Sequence, residues 1–536
     1  MAETCTDCLI IGSGFAGTHQ LINFRKLGLT ATVLEAGSDL GGTWHFNTYP
    51  GARVDSELPL YQFSDPELWR NWTWSERFPG WKEIQAYFQY VDEKFDVKRD
   101  VIFNSRVVSA VWDNSEDRWT VTTEDGRVFR AQFLSLCTGG GSKYYIPEYK
   151  GLETFKGQMH HTARWPNECN LEGKRVGVIG TGATGVQLIQ EIAPIVGHLT
   201  VFQRTPNLTL PRRQRDVSAE EQEKLKNDFY PILFNRRYQT FAGMHHDLDP
   251  KPTLDATPEE RAIYYEDKWE KGGFHLWLGS YADMFTNQQA NDEVYSFWRK
   301  KVKERISDPE LQEKLAPTQA PHPFGVKRPS LEQNYFEVYA RPNVTLVDIN
   351  KNPIEEITPN GLKTSDDTEH QLDVLVLATG FDMVTGGITS IDIRGQDGVP
   401  IKEKWADGVQ SYLGLASATY PNMFWVYGPQ SPSSFTNGPS CIEFTSDWIV
   451  KCIQYMKDNQ ISRIVPTEEA QAAYSEIVNQ LGAAGLWLGA KHSWYMGTNI
   501  PGKKTQMLQF PGGFPAWIKL CNDAAANGYA GFDMSR

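Results

Sequence analysis

The sequence predicts an α/β protein with two Rossmann-like dinucleotide-binding domains and a helical insertion in the second of them. Two observations carry this prediction. The spacing Gly-x-Gly-x-x-Gly occurs twice, and each copy follows a short apolar run and opens a helical pattern. After the second copy, residues 207–324 are rich in charged residues and tryptophan at helical spacing, which indicates the insertion. A chain of 536 residues is also too long for one hydrophobic core.

The first glycine copy lies near the N-terminus. Residues 8–12 form an apolar run, the glycines are Gly12, Gly14 and Gly17, and the next apolar run, 31–35, ends in Glu35. In such a unit the first glycine makes a tight turn, the second lets a pyrophosphate approach the backbone, and the third lets the helix pack on the sheet. The acid accepts hydrogen bonds from ribose hydroxyls. A doubly wound sheet without a cofactor is the alternative.

The second copy differs at the end of its second strand. Residues 175–180 and 198–203 predict the two strands, and Arg204 and Thr205 follow where an acid would bind the ribose of NAD. A guanidinium and a hydroxyl suit the 2′-phosphate of NADP, so we predict NADPH as the second nucleotide. Arg204 as a plain surface cation is the alternative.

Two longer motifs resemble the type I Baeyer–Villiger monooxygenases, which are class B flavoprotein monooxygenases. One is Gly41-Gly-x-Trp44-x-x-x-x-Tyr49-Pro-Gly51-x-x-x-Asp55, and the other is Phe155-x-Gly157-x-x-x-His161-x-x-x-Trp165-Pro166. The resemblance covers essentially the whole chain. The sequence departs from the family pattern at residues 45–48 and at Val54, near the expected mouth of the pocket.

The resemblance implies an FAD- and NADPH-dependent enzyme that uses O2 to convert ketones to esters or lactones. The family reaction runs through a C4a-peroxyflavin and a Criegee-type adduct, both negatively charged. Arg328 would stabilise that charge and Asp55 would orient Arg328, which makes these two the predicted catalytic residues. Which ketone is used is not predicted.

The predicted contact residues follow from the glycine copies and from the resemblance. Those for FAD are Gly12, Ser13, Gly14, Phe15, Gly17, Glu35, Gly42, Thr43, Trp44, Asp55, Tyr61, Val107 and Gly438. Those for NADP are Gly180, Thr181, Gly182, Ala183, Thr184, Gly185, Arg204, Thr205, Lys327, Arg328 and Trp494. The interdomain motif comprises Phe155, Gly157, His161 and Trp165, and read alone it is a linker.

The chain is expected to pass from the FAD domain to the NADP domain after residue 142 and to return after residue 380, and these two crossings set the domain boundaries. We expect residues 1–142 and 381–536 to form the FAD domain, and 143–206 and 325–380 to form the NADP domain. Within the first piece, residues 106–133 predict an antiparallel meander, and a separate strand at 133–139 would return to the parallel sheet.

Composition excludes other classes of partner. The net charge is −13 and no run of Lys or Arg forms a stripe, so nucleic acid is not expected. No stretch reaches the roughly 18 apolar residues that cross a bilayer, and we expect a cytoplasmic protein outside the membrane. The oligomeric state is not predicted, although a monomer is compatible with the sequence.

No metal site is predicted. A Cys-x-x-Cys pair precedes the first strand, and a loop before Pro250 carries two histidines and two aspartates, but neither group has further ligands at metal spacing. These residues are Cys5, Cys8, His245, His246, Asp247 and Asp249.

Three other functions remain. The nearest is a heteroatom (N- or S-) oxygenating flavin monooxygenase, which the Trp44 to Asp55 spacing and the Trp165-Pro166 ending disfavour. A pyridine-nucleotide disulfide reductase would need a cysteine pair after Gly41-Gly42, and none stands there. A non-catalytic dinucleotide sensor is the third.

Overall fold

The structure is a computed structural model that describes residues 4–536. Its strands are β1 (Thr4–Ile11), β2 (Ala31–Leu34), β3 (Val101–Ile102), β4 (Val107–Asp113), β5 (Arg118–Thr123), β6 (Val128–Leu136), β7 (Gln158–His161), β8 (Arg175–Ile179), β9 (His198–Gln203), β10 (Leu210–Pro211), β11 (Leu331–Glu332), β12 (Val344–Asp348), β13 (Ile354–Thr358), β14 (Gly361–Thr364), β15 (Glu369–Gln371), β16 (Val374–Leu377), β17 (Asp392–Arg394), β18 (Met423–Trp425), β19 (Arg463–Pro466) and β20 (Phe532–Ser535).

The α-helices are α1 (Phe15–Lys26), α2 (Thr43–Phe46), α3 (Pro66–Trp69), α4 (Trp81–Phe95), α5 (Ala183–Ile192), α6 (Ala219–Asp228), α7 (Tyr230–Arg236), α8 (Pro258–Lys271), α9 (His275–Leu278), α10 (Gln288–Lys303), α11 (Pro309–Leu315), α12 (Tyr335–Val338), α13 (Gly386–Thr389), α14 (Ile401–Lys404), α15 (Gly438–Asp458), α16 (Glu468–Ala484) and α17 (Phe514–Ala526). Several short 3-10 turns join them. None of the helices within residues 4–536 is long and apolar enough to cross a membrane.

The larger sheet has eight strands in the order β17-β4-β5-β6-β1-β2-β3, and β18 pairs with β6 off this path. β1 lies parallel to both β2 and β6, whereas β4, β5 and β6 form the predicted antiparallel meander. The prediction of two strands at 129–133 and 133–139 is wrong, because β6 runs without a break. Its burial alternates at first and then becomes continuous, a change that sequence reasoning took for a boundary.

The second sheet has five strands in the order β12-β9-β8-β16-β7, and every pair in it is parallel. Its edge strand β7 pairs with β16, with Val374 opposite Gln158 and Leu377 opposite His161. Residues 158–161 are therefore part of the sheet, which corrects the interpretation of segment 155–166 as a linker. An edge strand with an exposed, polar start lacks the apolar alternation that marks a strand in sequence.

The helical insertion contains α6 to α11 and lies between β10 and β11, which pair in parallel. Ser218 caps α6 by accepting from the Glu221 N–H, but the Glu221 carboxylate pairs with Arg215 rather than closing a capping box. A complete capping box stands instead at α8, between Thr257 and Glu260.

The chain passes between the two sheets twice, and the two crossings lie side by side. The Tyr145 N–H donates to the Gly380 carbonyl at 2.9 Å, and Tyr144 pairs with Phe381 as an isolated bridge. Each glycine loop follows the carboxyl end of a central strand of its own sheet, where sheets of this kind bind their ligands.

Candidate active site

The first glycine loop connects β1 to α1. Gly12 has φ +103°, and a Cβ there would lie 2.6 Å from the Cys137 carbonyl oxygen; a Cβ on Gly17 would lie 1.8 Å from the Gly12 carbonyl oxygen. Only glycine fits both positions. No side chain caps the N-terminus of α1, so its first N–H groups are free to bind an anion such as a pyrophosphate.

Glu35 is buried at the end of β2 and holds the loop in shape. One of its oxygens accepts from the Ser13 N–H at 2.7 Å and the Ser13 hydroxyl at 2.8 Å, and the other accepts from the Gly37 N–H at 2.6 Å. A carboxylate has about four acceptor positions, so one position remains for a ribose hydroxyl.

The Gly41-Gly42 loop packs against the first glycine loop. Gly42 has φ +53°, and a Cβ on it would lie 2.9 Å from the Gly14 Cα. Trp44 in α2 is buried and donates from its indole N–H to the Tyr61 hydroxyl at 3.0 Å. Thr43 opens the same helix, so the motif from Gly41 to Asp55 brings its predicted FAD contacts to the first glycine loop.

Three other predicted FAD contacts have different settings. The Phe15 ring is buried among Tyr61 and Phe63, so only its backbone faces the loop. Val107 is buried in β4. Gly438 is the first residue of α15, and a Cβ there would meet nothing within 4 Å. The preceding Asn437 donates to the Leu60 carbonyl at 2.7 Å while its buried Oδ1 has no partner among the described residues, which leaves an acceptor for a ligand.

Arg328 and Asp55 form a two-pronged ion pair. Arg328 Nε donates to Asp55 Oδ2 at 2.6 Å, and a terminal nitrogen donates to Asp55 Oδ1 at 2.7 Å. The two residues are 273 positions apart in the chain. Such fork geometry fixes the plane of the guanidinium and is among the stronger ion-pair arrangements.

The surroundings of Arg328 keep it charged. Its other terminal nitrogen donates to the Ser434 carbonyl at 3.0 Å, and the guanidinium carbon lies 4.9 Å from the ring centre of Phe274 and 5.8 Å from that of Trp277. Burial alone would lower the pKa of Arg328, but the Asp55 carboxylate outweighs it and raises that pKa above its ordinary value. The carbonyl and ring contacts were missed by sequence reasoning, since backbone acceptors leave no trace in a sequence.

The second glycine loop repeats the first. Gly180 has φ +110°, a Cβ there would lie 2.4 Å from the Ala378 carbonyl oxygen, and a Cβ on Gly185 would lie 2.3 Å from the Gly180 carbonyl oxygen. A Cβ on Gly182 would meet nothing within 4 Å. Ala183 and Thr184 open α5, whose N-terminus again has no side-chain cap.

The loop is tied to the strand end beside it. The Thr181 hydroxyl donates to the Thr205 carbonyl at 2.9 Å, and the Asn207 side chain donates to the Thr181 carbonyl and to the Ser330 hydroxyl, both at 2.9 Å. Asn207 was not predicted, because it lies outside the glycine motif and contacts it through a backbone group.

Lys327 and Arg204 are two cations that are close enough to interact electrostatically. Neither has a carboxylate at ion-pair distance among residues 4–536. Burial, followed by the charge of Arg204, lowers the pKa of Lys327 from 10.5 to about 8. Burial also lowers the pKa of His492, with Arg204, Lys327 and Lys491 adding to the effect. This corner is electropositive and suits a phosphate.

The interdomain motif lies against both chain crossings. His161 is buried, its Nδ1 accepts from the Ala163 N–H at 3.1 Å, and its ring centre lies 4.9 Å from that of Tyr144 and 6.1 Å from that of Phe381. Burial lowers the pKa of His161 to about 4, so the ring is neutral. A Cβ on Gly157 would lie 2.5 Å from the Asp373 carbonyl oxygen, so the bend before β7 requires glycine.

The remaining motif residues have less direct placements. Phe155 packs against the second sheet, and Trp165 is partly buried with its ring centre 5.7 Å from that of His160. Trp494 is partly buried against two hydrophobic clusters. Its loop is anchored at the second crossing by an ion pair between Lys503 and Asp382 and by a hydrogen bond from Asn499 to the Phe381 carbonyl at 2.8 Å.

Comparison with known proteins gives consistent relatives. A model of the family "flavin-binding monooxygenase-like" matches residues 6–219. The chain is similar to cyclopentanone 1,2-monooxygenase of Comamonas sp., with 46% identity over 99% of the chain and 96% of that protein. It is also 38% identical to phenazine N-monooxygenase of Lysobacter antibioticus, over 99% of the chain and 97% of that protein.

Solved structures agree in fold over the whole chain. A closed crystal structure of cyclohexanone monooxygenase is similar with a TM-score of 0.96 and 40% identity, and the match covers 100% of both chains. The crystal structure of OTEMO in complex with FAD and NADP is similar with a TM-score of 0.95 and 36% identity, again over 100% of both chains. The predicted α/β fold with two nucleotide domains and a helical insertion is confirmed.

Proposed function

Because this chain belongs to the type I Baeyer–Villiger monooxygenases of the flavin-binding monooxygenase-like family, we propose that the Arg328–Asp55 pair is its catalytic centre. The enzyme depends on FAD and NADPH and converts ketones to esters or lactones. The single observation that supports the catalytic assignment is the two-pronged contact that joins residues 273 positions apart, with the guanidinium turned against two aromatic rings.

The two glycine loops fit the two nucleotides. Each presents an uncapped helix N-terminus, and each has a turn where only glycine fits, so a pyrophosphate can approach the backbone N–H groups. FAD belongs at the loop that ends at Glu35, and NADPH belongs at the loop beside Arg204 and Lys327. When bound, FAD reduced by NADPH supplies the activated oxygen that is inserted next to the ketone carbonyl.

Arg328 stabilises negative charge in this reaction. Its guanidinium stays protonated, so it can donate to the substrate carbonyl oxygen as that oxygen becomes negative. Asp55 holds the plane of the guanidinium, and the Ser434 carbonyl holds its far side. The surrounding rings of Phe274 and Trp277 exclude water, which strengthens the attraction between the guanidinium and a negative oxygen.

Lys327 and Arg204 bind the 2′-phosphate of NADPH in this proposal. Two cations without carboxylate partners in residues 4–536 repel each other, and a dianionic phosphate between them removes that repulsion. His161, which packs on both crossings, connects the two nucleotide domains in this proposal. The boundaries 1–142 with 381–536, 143–206 with 325–380, and 207–324 are proposed as the domains, in keeping with the strands that each sheet recruits.

The substrate class that we propose is a compact ketone such as cyclopentanone, together with O2. The relative at 46% identity carries that ketone in its name and matches this chain over nearly its full length. A second candidate is N-oxygenation, which the 38% identical phenazine N-monooxygenase favours. The cytoplasmic location stays a prediction.

The test is product analysis of the purified enzyme with NADPH and air. The panel contains cyclopentanone, a linear ketone, a tertiary amine and a sulfide. We expect lactone and ester from the ketones. Exclusive formation of N-oxide would instead establish the second candidate.

The Arg328→Ala variant tests the catalytic pair in the same assay. It is expected to retain FAD and to oxidise NADPH with release of hydrogen peroxide, while ester formation falls by about 10²- to 10³-fold, since loss of one such donor costs roughly 3 to 4 kcal/mol. Arg215→Ala, which removes an exposed arginine paired with Glu221, is the control and should leave the yield unchanged. Full ester yield from Arg328→Ala would remove Arg328 from the chemistry.

A further inference from the structure

Four potential metal ligands meet where the helical insertion packs on the segment that follows Asp55. They are Glu57, His245, His246 and His275, and one ligand atom from each lies within 4.8 Å of the others. The ring centres of the histidines are 4.0, 4.5 and 5.5 Å apart. We propose that these four side chains bind a first-row transition-metal ion of the zinc type.

The strongest observation is the state of His246. This residue is 6% exposed, and neither of its ring nitrogens has a hydrogen-bond partner among the described residues. Buried polar atoms normally have partners, and an orphaned imidazole costs stability. Its ring lies against the other two histidines, so a metal ion held among them would supply the missing partner.

The other ligands are already oriented by second contacts. His275 Nδ1 lies 2.8 Å from the Gly272 carbonyl, and because a carbonyl only accepts, Nδ1 carries the proton and Nε2 keeps its lone pair. Metal-binding histidines typically have such a partner on the second nitrogen. Glu57 Oε2 accepts from Arg77, whereas Glu57 Oε1 lies 2.6 Å from His245 Nε2, a contact between two ligands that a bound metal ion would replace.

The charges allow a cation despite Arg77. Arg77 pairs with the Glu57 oxygen that does not contact His245, so it fixes the carboxylate without occupying the ligand position.

The donor set selects the metal. Three imidazole nitrogens and one carboxylate oxygen suit Zn²⁺ in tetrahedral geometry, and Ni²⁺ and Cu²⁺ share the preference for imidazole. Ligand bonds of about 2.1 Å place tetrahedral ligand atoms roughly 3.4 Å apart. On binding, the wider pairs, which are up to 4.8 Å apart, move together, while His245 Nε2 and Glu57 Oε1 move apart from 2.6 Å. Cu⁺ prefers thiolate ligands, and this set has none, so Cu⁺ is not favoured.

The position connects this site to the catalytic pair. Glu57 lies two residues after Asp55, and His275 stands next to Phe274, whose ring packs on Arg328. A metal ion therefore clamps one wall of the Arg328 pocket to the segment that carries Asp55. Binding itself does not depend on the assigned reaction, so the two proposals fail separately.

The sequence alone pointed away from this site. His245 and His246 were visible as a pair, but Glu57 stands 188 residues before them and His275 stands 29 residues after His246. The two aspartates of the same loop do not take part. Asp247 pairs with Arg236, and Asp249 accepts from the Lys251 N–H.

The experiment titrates Zn²⁺ into full-length, FAD-loaded enzyme that has been stripped with a chelator. We expect one ion per chain by calorimetry, a higher melting temperature at saturation, and zinc-edge X-ray absorption that shows about three imidazole ligands. His246→Gln should lose the uptake and the thermal shift while it keeps FAD. His370→Gln, a change in the separate β14–β15 hairpin, is the matched control and should behave as wild type.

Two outcomes overturn the proposal. One is no stoichiometric uptake by the wild-type enzyme. The other is uptake that persists unchanged in His246→Gln and in His245→Gln, which would place the ion elsewhere. His246→Phe keeps the result interpretable if the glutamine variant is unstable, because a ring of similar size fills the same space and cannot bind metal.

Discussion

The two glycine loops share one backbone plan and differ in how open they are. At the first, a Cβ added to Gly14 would lie 3.4 Å from the Gly42 Cα, and the strand ends in buried Glu35, which accepts three hydrogen bonds from Ser13 and Gly37. At the second, Gly182 faces open space, and the strand ends in exposed Arg204. From this difference we infer that the first loop holds its nucleotide more tightly than the second.

The largest expected effect comes from adding one methyl to the third glycine of each loop. Gly17→Ala would place its Cβ 1.8 Å from the Gly12 carbonyl oxygen, and Gly185→Ala would place its Cβ 2.3 Å from the Gly180 carbonyl oxygen. Backbone must shift in both, at a cost of about 3 kcal/mol or more. We expect Gly17→Ala to lose FAD and stability, and Gly185→Ala to keep FAD but lose its reduction by NADPH.

Visible flavin absorbance and melting temperature distinguish the two variants. Gly80→Ala is the control, because Gly80 lies outside both glycine loops, its added methyl would lie 3.7 Å from the nearest atom, the Ala52 carbonyl oxygen, and its φ of −78° suits alanine. If Gly17→Ala and Gly185→Ala lost FAD equally, the two loops would not be separate nucleotide sites.

A smaller effect is expected at the end of the second strand. Arg204→Ala removes a charge-assisted contact to the 2′-phosphate, worth about 1.5 to 3 kcal/mol, so the KM for NADPH should rise about 10- to 100-fold. The KM for NADH, which has no such phosphate, should change little. The KM values from steady-state NADPH and NADH oxidation provide the measurement.

Arg175→Ala is the control for this change. Arg175 lies at the start of β8, at the end away from the second glycine loop, and pairs with Asp373. An equal rise of the KM for both nucleotides would mean that Arg204 supports the loop rather than the phosphate.

The sequence predicted whatever depends on local chemistry. Gly12 and Gly180 are recognisable because their backbone admits no other residue, and the change from Glu35 to Arg204 is visible at equivalent strand ends. The Phe155 to Trp165 spacing located the segment that packs on the crossings, although not that residues 158–161 form an edge strand.

Contacts made by backbone groups or by distant segments were not predictable. The Ser434 carbonyl that holds Arg328 has no side-chain signature, and the Phe274 ring comes from an insertion whose placement only the tertiary fold decides. The same is true of Glu57 and His275, which join the two adjacent histidines only after folding.

The smallest expected effect is a pH dependence at Lys327. Its pKa is lowered from 10.5 to about 8, first by burial and then by Arg204, whereas the 2′-phosphate is fully ionised above about pH 7. As pH rises through about 8, Lys327 loses its charge and NADPH binds less tightly. Loss of one partly exposed contact is worth about 1 kcal/mol, so we expect the KM for NADPH to rise about fivefold between pH 7.5 and 9.5.

The stability of the NADP-free enzyme should change in the opposite direction. The folded pKa of Lys327 lies below its unfolded value, so between about 8 and 10.5 the unfolded chain binds more protons, and the contribution of Lys327 to the free energy of unfolding rises with pH. Lys327→Met removes both trends relative to wild type, which isolates this contribution from other groups that titrate in the alkaline range. General alkaline damage would weaken NADPH binding and lower the free energy of unfolding together. If the difference between wild type and Lys327→Met changed in the same direction with pH in both measurements, Lys327 would not belong to the second nucleotide site.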